Sequence, residues 1–490
     1  MKRITKRIFA AVLSACMLFT LASCNTAKDI STQEPKDVLK TGLDRLEVVA
    51  DTLQLPDLSQ YAGEKTFHEL ELGLVNSNDY SLAALAGAKA NLSAAMDSAG
   101  KQLFMNLDLS AQGLSISGNQ IYVSPEMIGV AIPMLFQNST MLTINPQTIV
   151  EDWNSSTMGY SAPITAVEST QELMGMIDEM FEASAAADTM PQLDNPFVDI
   201  TSDYPVTKGE EYSKEINGKS QKLVDFSITI PQADFTAAYE AGVDAVMEYY
   251  NSSFNAFSSY MSAADVSDVA GMLAEMETQM KDSISFTKDI EIVYAINENN
   301  DIVSIHLPEL LMTYEDAYTL EDLSIDAMLT YCGTENLHAS WNLELKATDA
   351  VETFTMVMNF NDKSTKKLVD VSFDLAVYDE DMQPVDFEMS GSFAWDPSKS
   401  EDNLSFDFSM VADYETITFH GNGLMQDNKD EFVLDLKSLS VDTGYTNVEL
   451  SLLYRLRAAT DADFNIDLNN TRSFFDLSDS ELMQMLYAFM

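Results

Sequence analysis

From about Leu320 onward the chain alternates apolar and polar side chains almost without interruption. Val369, Val371, Phe373, Leu375 and Val377 share one side of an extended segment, with Asp370, Ser372 and Asp374 on the other. The same two-residue period recurs over residues 385–395, 404–410, 432–436 and 448–456. Successive side chains of a strand point to opposite faces, so each segment predicts a strand with one apolar face. Asp396-Pro397-Ser398, Asn422-Gly423 and Asp442-Thr443-Gly444 punctuate the pattern. Their spacing predicts an antiparallel meander of about ten strands between Leu320 and Asn469.

Before Leu320 helical and strand patterns mix. Leu39, Leu43, Leu46, Ala50 and Leu53 recur at helical spacing and stop at Pro56, which predicts an amphipathic helix with one stripe for burial. Residues 67–72 alternate weakly, whereas Leu103, Met105, Leu107 and Leu109 alternate well against Asn106, Asp108 and Ser110. Ser117-Gly118-Asn119 reads as a turn before a strand at Ile121-Tyr122-Val123. A helical interlude over residues 171–181 carries Leu173, Ile177 and Met180. Asn217-Gly218 is a hairpin turn between residues 211–216 and 222–230. Beyond Pro231 one helical stripe contains Phe235, Tyr239, Gly242, Val246 and Tyr249, and another Val266, Val269, Leu273, Met276 and Met280. A further hairpin joins 290–296 to 302–307 around residues 297–301. Ser478 and Glu481 form a capping box ahead of Leu482, Met483, Leu486 and Tyr487.

These elements predict a β-rich α+β fold, with large curved antiparallel sheets in half-barrel or meander form and a few covering amphipathic helices. Residues 37–315 read as a half-barrel-like α+β domain and residues 316–490 as an antiparallel β-meander with a C-terminal helix. A one-sided sheet of this extent needs closure, a second sheet or an apolar occupant, because the visible helices cover only part of it.

The formal charge of the 490 residues is −51. Such an excess repels polyanions and argues against nucleic acid as a partner; anionic lipid headgroups are disfavoured for the same reason. Lys363, Lys366 and Lys367, in a predicted turn, are the nearest approach to a basic patch. No nucleophile-elbow, zinc-protease, phosphate-loop or dinucleotide motif is present, and His68, His306, His338 and His420 are widely separated. No catalytic residue and no cofactor is expected. Asp461, Asp463, Asn465, Asp467 and Asn469 superficially suggest a calcium loop, but the required glycine and terminal glutamate are missing. Alternation with Ala462, Phe464, Ile466 and Leu468 predicts an acidic-faced strand instead, so no metal is expected. The 28 methionines suit either ordinary core filling or an adaptable apolar site.

Lys2, Arg3, Lys6 and Arg7 precede an apolar run over residues 8–21, which ends in Leu21-Ala22-Ser23-Cys24. The layout is that of a secretory signal, and the run is shorter than the roughly 20 residues of a spanning helix. Ala22 and Ser23 also suit ordinary cleavage. The four residues ending in Cys24 resemble the bacterial lipobox. That resemblance implies a signal peptide over residues 1–23, acylation of Cys24 and a lipid anchor on the extracytoplasmic face of a bacterial membrane. Residues 24–36 then read as a polar tether, and loss of the four basic residues moves the net charge from −51 to −55. Cys16 leaves with the signal and Cys24 is the anchor, so Cys332 is the one remaining thiol and no internal disulfide forms. Its apolar setting after Leu329 and Tyr331 predicts a buried small side chain. The order of tether, amphipathic helix and one-sided strands over residues 37–311, with 117–123 and the hairpin 291–305, loosely resembles lipid-carrier lipoproteins. The resemblance implies a sheet that holds acyl chains under a helical lid, and it transfers no site residue besides Cys24. The leading expectation is a non-catalytic surface lipoprotein that binds or shields an apolar ligand. The alternative is a structural lipoprotein that meets a protein partner.

Overall fold

The alternating segments become strands of a single twenty-one-stranded sheet in the computed structural model. The structure describes residues 34–46, 55–61, 63–134, 140–156, 170, 174–175, 177, 181, 203–216, 218–258, 263–316, 319–334, 336–349, 352–412, 415–464, 470–478 and 480–481. The first strands are β1 (Lys65–Ser77), β2 (Lys89–Asp97), β3 (Gln102–Ala111), β4 (Leu114–Val123), β5 (Ile128–Ala131) and β6 (Met141–Ile144). Next come β7 (Val206–Ile216), β8 (Lys219–Ile230), β9 (Ile284–Phe286), β10 (Ile290–Asn297) and β11 (Ile302–Asp316). The alternating region supplies β12 (Thr319–Tyr331), β13 (Ser340–Thr348), β14 (Thr353–Asp362), β15 (Val369–Tyr378), β16 (Pro384–Trp395), β17 (Leu404–Ala412), β18 (Glu415–Asn428), β19 (Glu431–Asp442) and β20 (Asn447–Ala458), before the short β21 (Thr471–Ser473).

From β10 to β20 each strand pairs antiparallel with the next, so the meander is continuous. β8 adds to β10, β7 adds to β8, and β9 lies beside β11. At the far side β20 pairs with β1, which leads through β2, β3, β4 and β5 to β6. β21 joins β6 in the one parallel pairing among the described residues. The fold is therefore a β-rich α+β architecture built on a large open antiparallel sheet with few helices. Strands on both sides of residue 316 belong to it, because the β11–β12 hairpin crosses that position. β7 forms one edge and is mostly exposed; Lys208, Glu210, Glu211, Lys214 and Glu215 discourage a further strand from adding there.

Register carries one apolar face across the sheet. One row runs Phe226, Tyr294, Ile305, Leu329, Leu343, Met358, Leu375, Met389, Met410, each opposite the next. A second runs Trp395, Leu404, Gly423, Leu436, Leu452, Leu72, Ala90, Leu109, Ile116.

The helices bounded among the described residues are α1 (Pro35–Leu46), α2 (Tyr80–Ala83), α3 (Ile149–Ser155), α4 (Gln232–Ser258) and α5 (Ala263–Asp282). Val38, Leu39 and Leu43 of α1 and Phe235, Tyr239, Val243 and Met247 of α4 bury against Phe226, Tyr294 and Leu345 to form the main core. The α4 stripe differs from the expected one. Gly242 has no side chain to bury, and Val243 and Met247 take the buried places while Val246 lies half-buried beside them. On α5, Leu273 and Met280 pack against that core, Met276 is exposed, and the Tyr239 hydroxyl donates to the Met280 carbonyl at 2.9 Å. The side chains of Tyr249 and Val266 lie outside the described residues.

Two expected turns are strand irregularities instead. Gly118 sits inside β4 with φ +74°, where its N–H donates to Asp108 Oδ1 at 2.7 Å. It makes a bulge, and the actual turn is Gln112-Gly113, both with positive φ. Asn422-Gly423 lies inside β18 at a register shift against β19, where a Cβ on Gly423 would come within 2.0 Å of the Asp435 carbonyl oxygen. Asp461–Phe464 is a single 3₁₀ turn rather than a strand; residues 465–469 lie outside the described residues. The first helix is described only to Leu46, so Ala50 and Leu53 fall outside. In the interlude Ile177 and Phe181 are buried, and Leu173 and Met180 are outside. The capping box forms, with the Ser478 N–H donating to Glu481 Oε2 at 2.8 Å; the apolar residues after Glu481 are outside.

Candidate functional site

The apolar face is unevenly covered. In the main core that α1 and α4 join, Leu345 is 1% exposed, whereas Leu109, on the same face near the other side of the sheet, is 40% exposed. Leu72, Leu107 and Ile121 are exposed as well. A contiguous set of open leucines is informative where a single one is not.

Between these extremes a smaller core closes one end of β15–β20. Trp395, Leu404, Met425, Phe432, Leu436 and Leu456 pack there with Tyr61, carried in on the 3₁₀ turn Leu58–Tyr61. The Tyr61 hydroxyl donates to Asp427 Oδ1 at 2.5 Å, and Trp395 Nε1–H donates to the Met425 carbonyl at 2.9 Å. Polar groups at this end are paired as burial demands.

At the opposite end of β20, where β1–β4 continue the sheet, a groove of about 520 Å³ opens, within the range of small-molecule sites. Leu72, Leu74, Leu109, Leu114, Ile116 and Leu450 line it, and Leu85 closes it from the β1–β2 connection. That connection is held locally: Asp79 accepts from the N–H groups of Ser81 and Leu82, and Gln112 donates to the Ala84 carbonyl. Lys89 is the one charged lining residue, and its ammonium is drawn away to Glu71 at 2.7 Å. Tyr80, Leu114 and Tyr445, on three hairpin tips at this end, are 94%, 77% and 81% exposed.

On the apolar face of β19, β20, β1, β2 and β3, the polar side chains include Thr66, His68, Ser77 and Tyr454, Ser77 lying buried at the far end of β1. Thr66 is buried. His68 Nδ1 lies 3.0 Å from the Tyr454 hydroxyl, and burial pushes the imidazole below its ordinary pKa, so the ring is neutral near pH 7. Neither the mid-face placement nor the pairing was visible in the sequence, where His68 and Tyr454 stand far apart.

The remaining chemistry-bearing side chains stay dispersed among the described residues. His306 pairs with Asp326 at 3.0 Å, His338 contacts the Ile302 carbonyl at 2.8 Å, and His420 pairs with Asp407 at 2.5 Å, so the four histidines stay separate. Carboxylates with perturbed acidity are held below their usual range: Asp79 by Ser81, Asp396 by Ser398, Asp463 by Arg457 and Glu481 by Arg472. A general acid needs the opposite shift. Asp463 is occupied by two bonds from Arg457 and two from Thr460. Among the described residues no three His, Cys, Asp or Glu side chains gather around a possible metal position. Cys332 is half-buried, and burial pushes its thiol upward, away from nucleophilic thiolate. Lys363, Lys366 and Lys367 fall in the β14–β15 connection, as expected. A polar cleft of about 900 Å³ lies among the β7–β8, β10–β11 and β12–β13 ends, lined by Lys219, Lys222, Glu298 and Asp301 with amides and hydroxyls. Cys24 and Cys16 lie outside the described residues. Among those residues no helix is long and apolar enough to cross a membrane.

No family model, curated protein or solved structure matches this chain.

Proposed function

We propose that the protein is a membrane-anchored extracytoplasmic lipoprotein, held through acylated Cys24, which binds a lipid or other apolar ligand without catalysis. The supporting observation is the groove walled by Leu72, Leu74, Leu109, Leu114 and Leu450, a place where the sheet's apolar face meets water instead of core. Burying such surface is favourable by about 25 cal/mol per Å². The lipobox sequence supplies the anchoring part of the reading, and the large negative charge fits a partner other than nucleic acid. Native mass spectrometry of a non-acylated form, before and after lipid extraction, tests it. Retained apolar mass that leaves on extraction and rebinds supports the reading; an extracted protein that takes up no apolar ligand refutes it. A structural lipoprotein that meets a protein partner is the second reading, favoured by the almost wholly solvated Tyr80 and Tyr445 rings. Co-purification of a stoichiometric protein without small ligand would select it.

A further inference from the structure

The open face resolves into two chemically distinct parts. Toward the hairpin tips it is a leucine-walled groove; mid-face it carries the His68–Tyr454 pair. Leu70 and Leu72 lie between them on β1, both on the same face as His68 by strand alternation. Their neighbours across the ladder are Leu92 and Ala90 on one side and Tyr454 and Leu452 on the other. No charged side chain interrupts this path, because Glu69 and Glu71 fall on the opposite face, where Glu69 pairs with Arg455 at 3.0 Å.

We propose that this face takes a single-chain amphiphile with an uncharged, hydrogen-bonding head, of the monoacylglycerol class. The head meets His68 and Tyr454, and the chain lies over Leu70 and Leu72 into the groove at Leu74. The proposal rests on the apolar-ligand reading and adds the nature and position of the head.

Three observations carry it. The first is hydrogen-bond capacity. His68 Nδ1 is engaged by Tyr454, while His68 Nε2 has no partner among the described residues and is not sealed from solvent. A neutral imidazole offers one donor and one acceptor, and the Tyr454 hydroxyl can both give and accept. The pair therefore suits a hydroxyl or ester carbonyl. The second is charge complementarity. Around His68 and Tyr454 the face presents neither a cation for an anionic head nor a carboxylate for a cationic one; Lys89, the one charged residue at the groove, is neutralised by Glu71, and the −51 overall charge repels anions further. The third is length. At a strand rise of about 3.3 Å per residue, Leu74 lies about 20 Å from His68, the reach of an extended chain of roughly sixteen carbons with C–C bonds near 1.5 Å. A few polar groups that orient an otherwise apolar occupant are the usual composition of such a site.

The test uses the full chain with Cys24→Ser, so that no acyl anchor competes. N-phenyl-1-naphthylamine fluorescence reports the groove, and displacement by 1-monooleoylglycerol, oleate at pH 8 and lysophosphatidylglycerol reports the head. Monooleoylglycerol is expected to displace the dye at least tenfold more tightly than either anion. Tyr454→Phe and His68→Phe are expected to weaken monooleoylglycerol at least tenfold while leaving dye binding and the urea midpoint unchanged. Leu109→Asp is expected to abolish dye and lipid binding together. If dye binding depends on Leu109 but the Tyr454 and His68 variants bind monooleoylglycerol like the parent, the head assignment falls and the groove stands. Preference for either anion also overturns the head assignment. If the parent binds neither dye nor lipid, both readings fall.

Discussion

Leu109→Ala and Leu345→Ala remove the same three carbons from the same face of one sheet, and the structure assigns them different costs. Leu345 is 1% exposed within the main core. Its truncation loses the transfer free energy of the removed atoms and leaves a cavity, together about 3–5 kcal/mol. Leu109 is 40% exposed, so some 60% of its surface is out of water. Three carbons at about 0.8 kcal/mol each, scaled by that fraction, give about 1.4 kcal/mol, with no cavity term because water or neighbouring side chains fill the space. Urea unfolding followed by tryptophan fluorescence, with a shared slope against denaturant, measures both. The expected gap is at least about 1.5 kcal/mol, well beyond the scatter among ordinary surface substitutions. A Leu109→Ala cost equal to that of Leu345→Ala would mean that the protein seals this face by itself. The groove would then be core, and the ligand reading would lose its support.

Tyr61→Phe deletes the hydroxyl that ties the 3₁₀ turn Leu58–Tyr61 to Asp427, and is expected to cost about 1–2 kcal/mol in urea unfolding; an unchanged midpoint would show that the turn holds by apolar contact alone. Gly423→Ala forces a methyl into the Asp435 carbonyl and is expected to destabilise by about 1–3 kcal/mol or more in thermal unfolding, because backbone cannot step aside; an unshifted melt contradicts the close approach. Burial lowers the His338 pKa below 6.5, so the unfolded chain takes up the proton more readily. Its contribution is complete above pH 6.5 and is lost as pH falls toward the folded value. His338→Gln is expected to flatten the fall in the urea midpoint between pH 6.5 and 5, and an unaltered slope would assign that fall to other groups.

Strand identity was legible wherever one face of the chain is apolar and the other polar. The segments at 369–377, 404–410 and 448–456 became β15, β17 and β20 because alternation is all a half-covered sheet requires. Glycine was harder to read. Gly113, Gly118 and Gly218 all have positive φ, yet two make turns and one a bulge, a distinction set by the partner strand rather than by local sequence. Long-range pairing left no local trace. Nothing near Leu70 announces Tyr454, its ladder neighbour, or that the same tyrosine would meet His68. The α4 stripe was misread by one position because a glycine satisfies the helical period without supplying surface to bury. Uneven cover of the apolar face was foreseeable from the imbalance between one-sided strands and helices; that the open part falls at the end of β1 depended on where the helices lie.

The β1–β20 ladder also sets the schedule of folding. Thr66 leaves the ribosome about 390 residues before its neighbour Ala458 on β20 exists. At 5–20 residues per second, one flank of the earliest strand stays unmated for roughly 20–80 s. During that interval the leucine-rich hairpins of β1–β4 lack their partner strand, and unpaired edges of this kind favour aggregation. Completion of this seam is the event that retires the hazard.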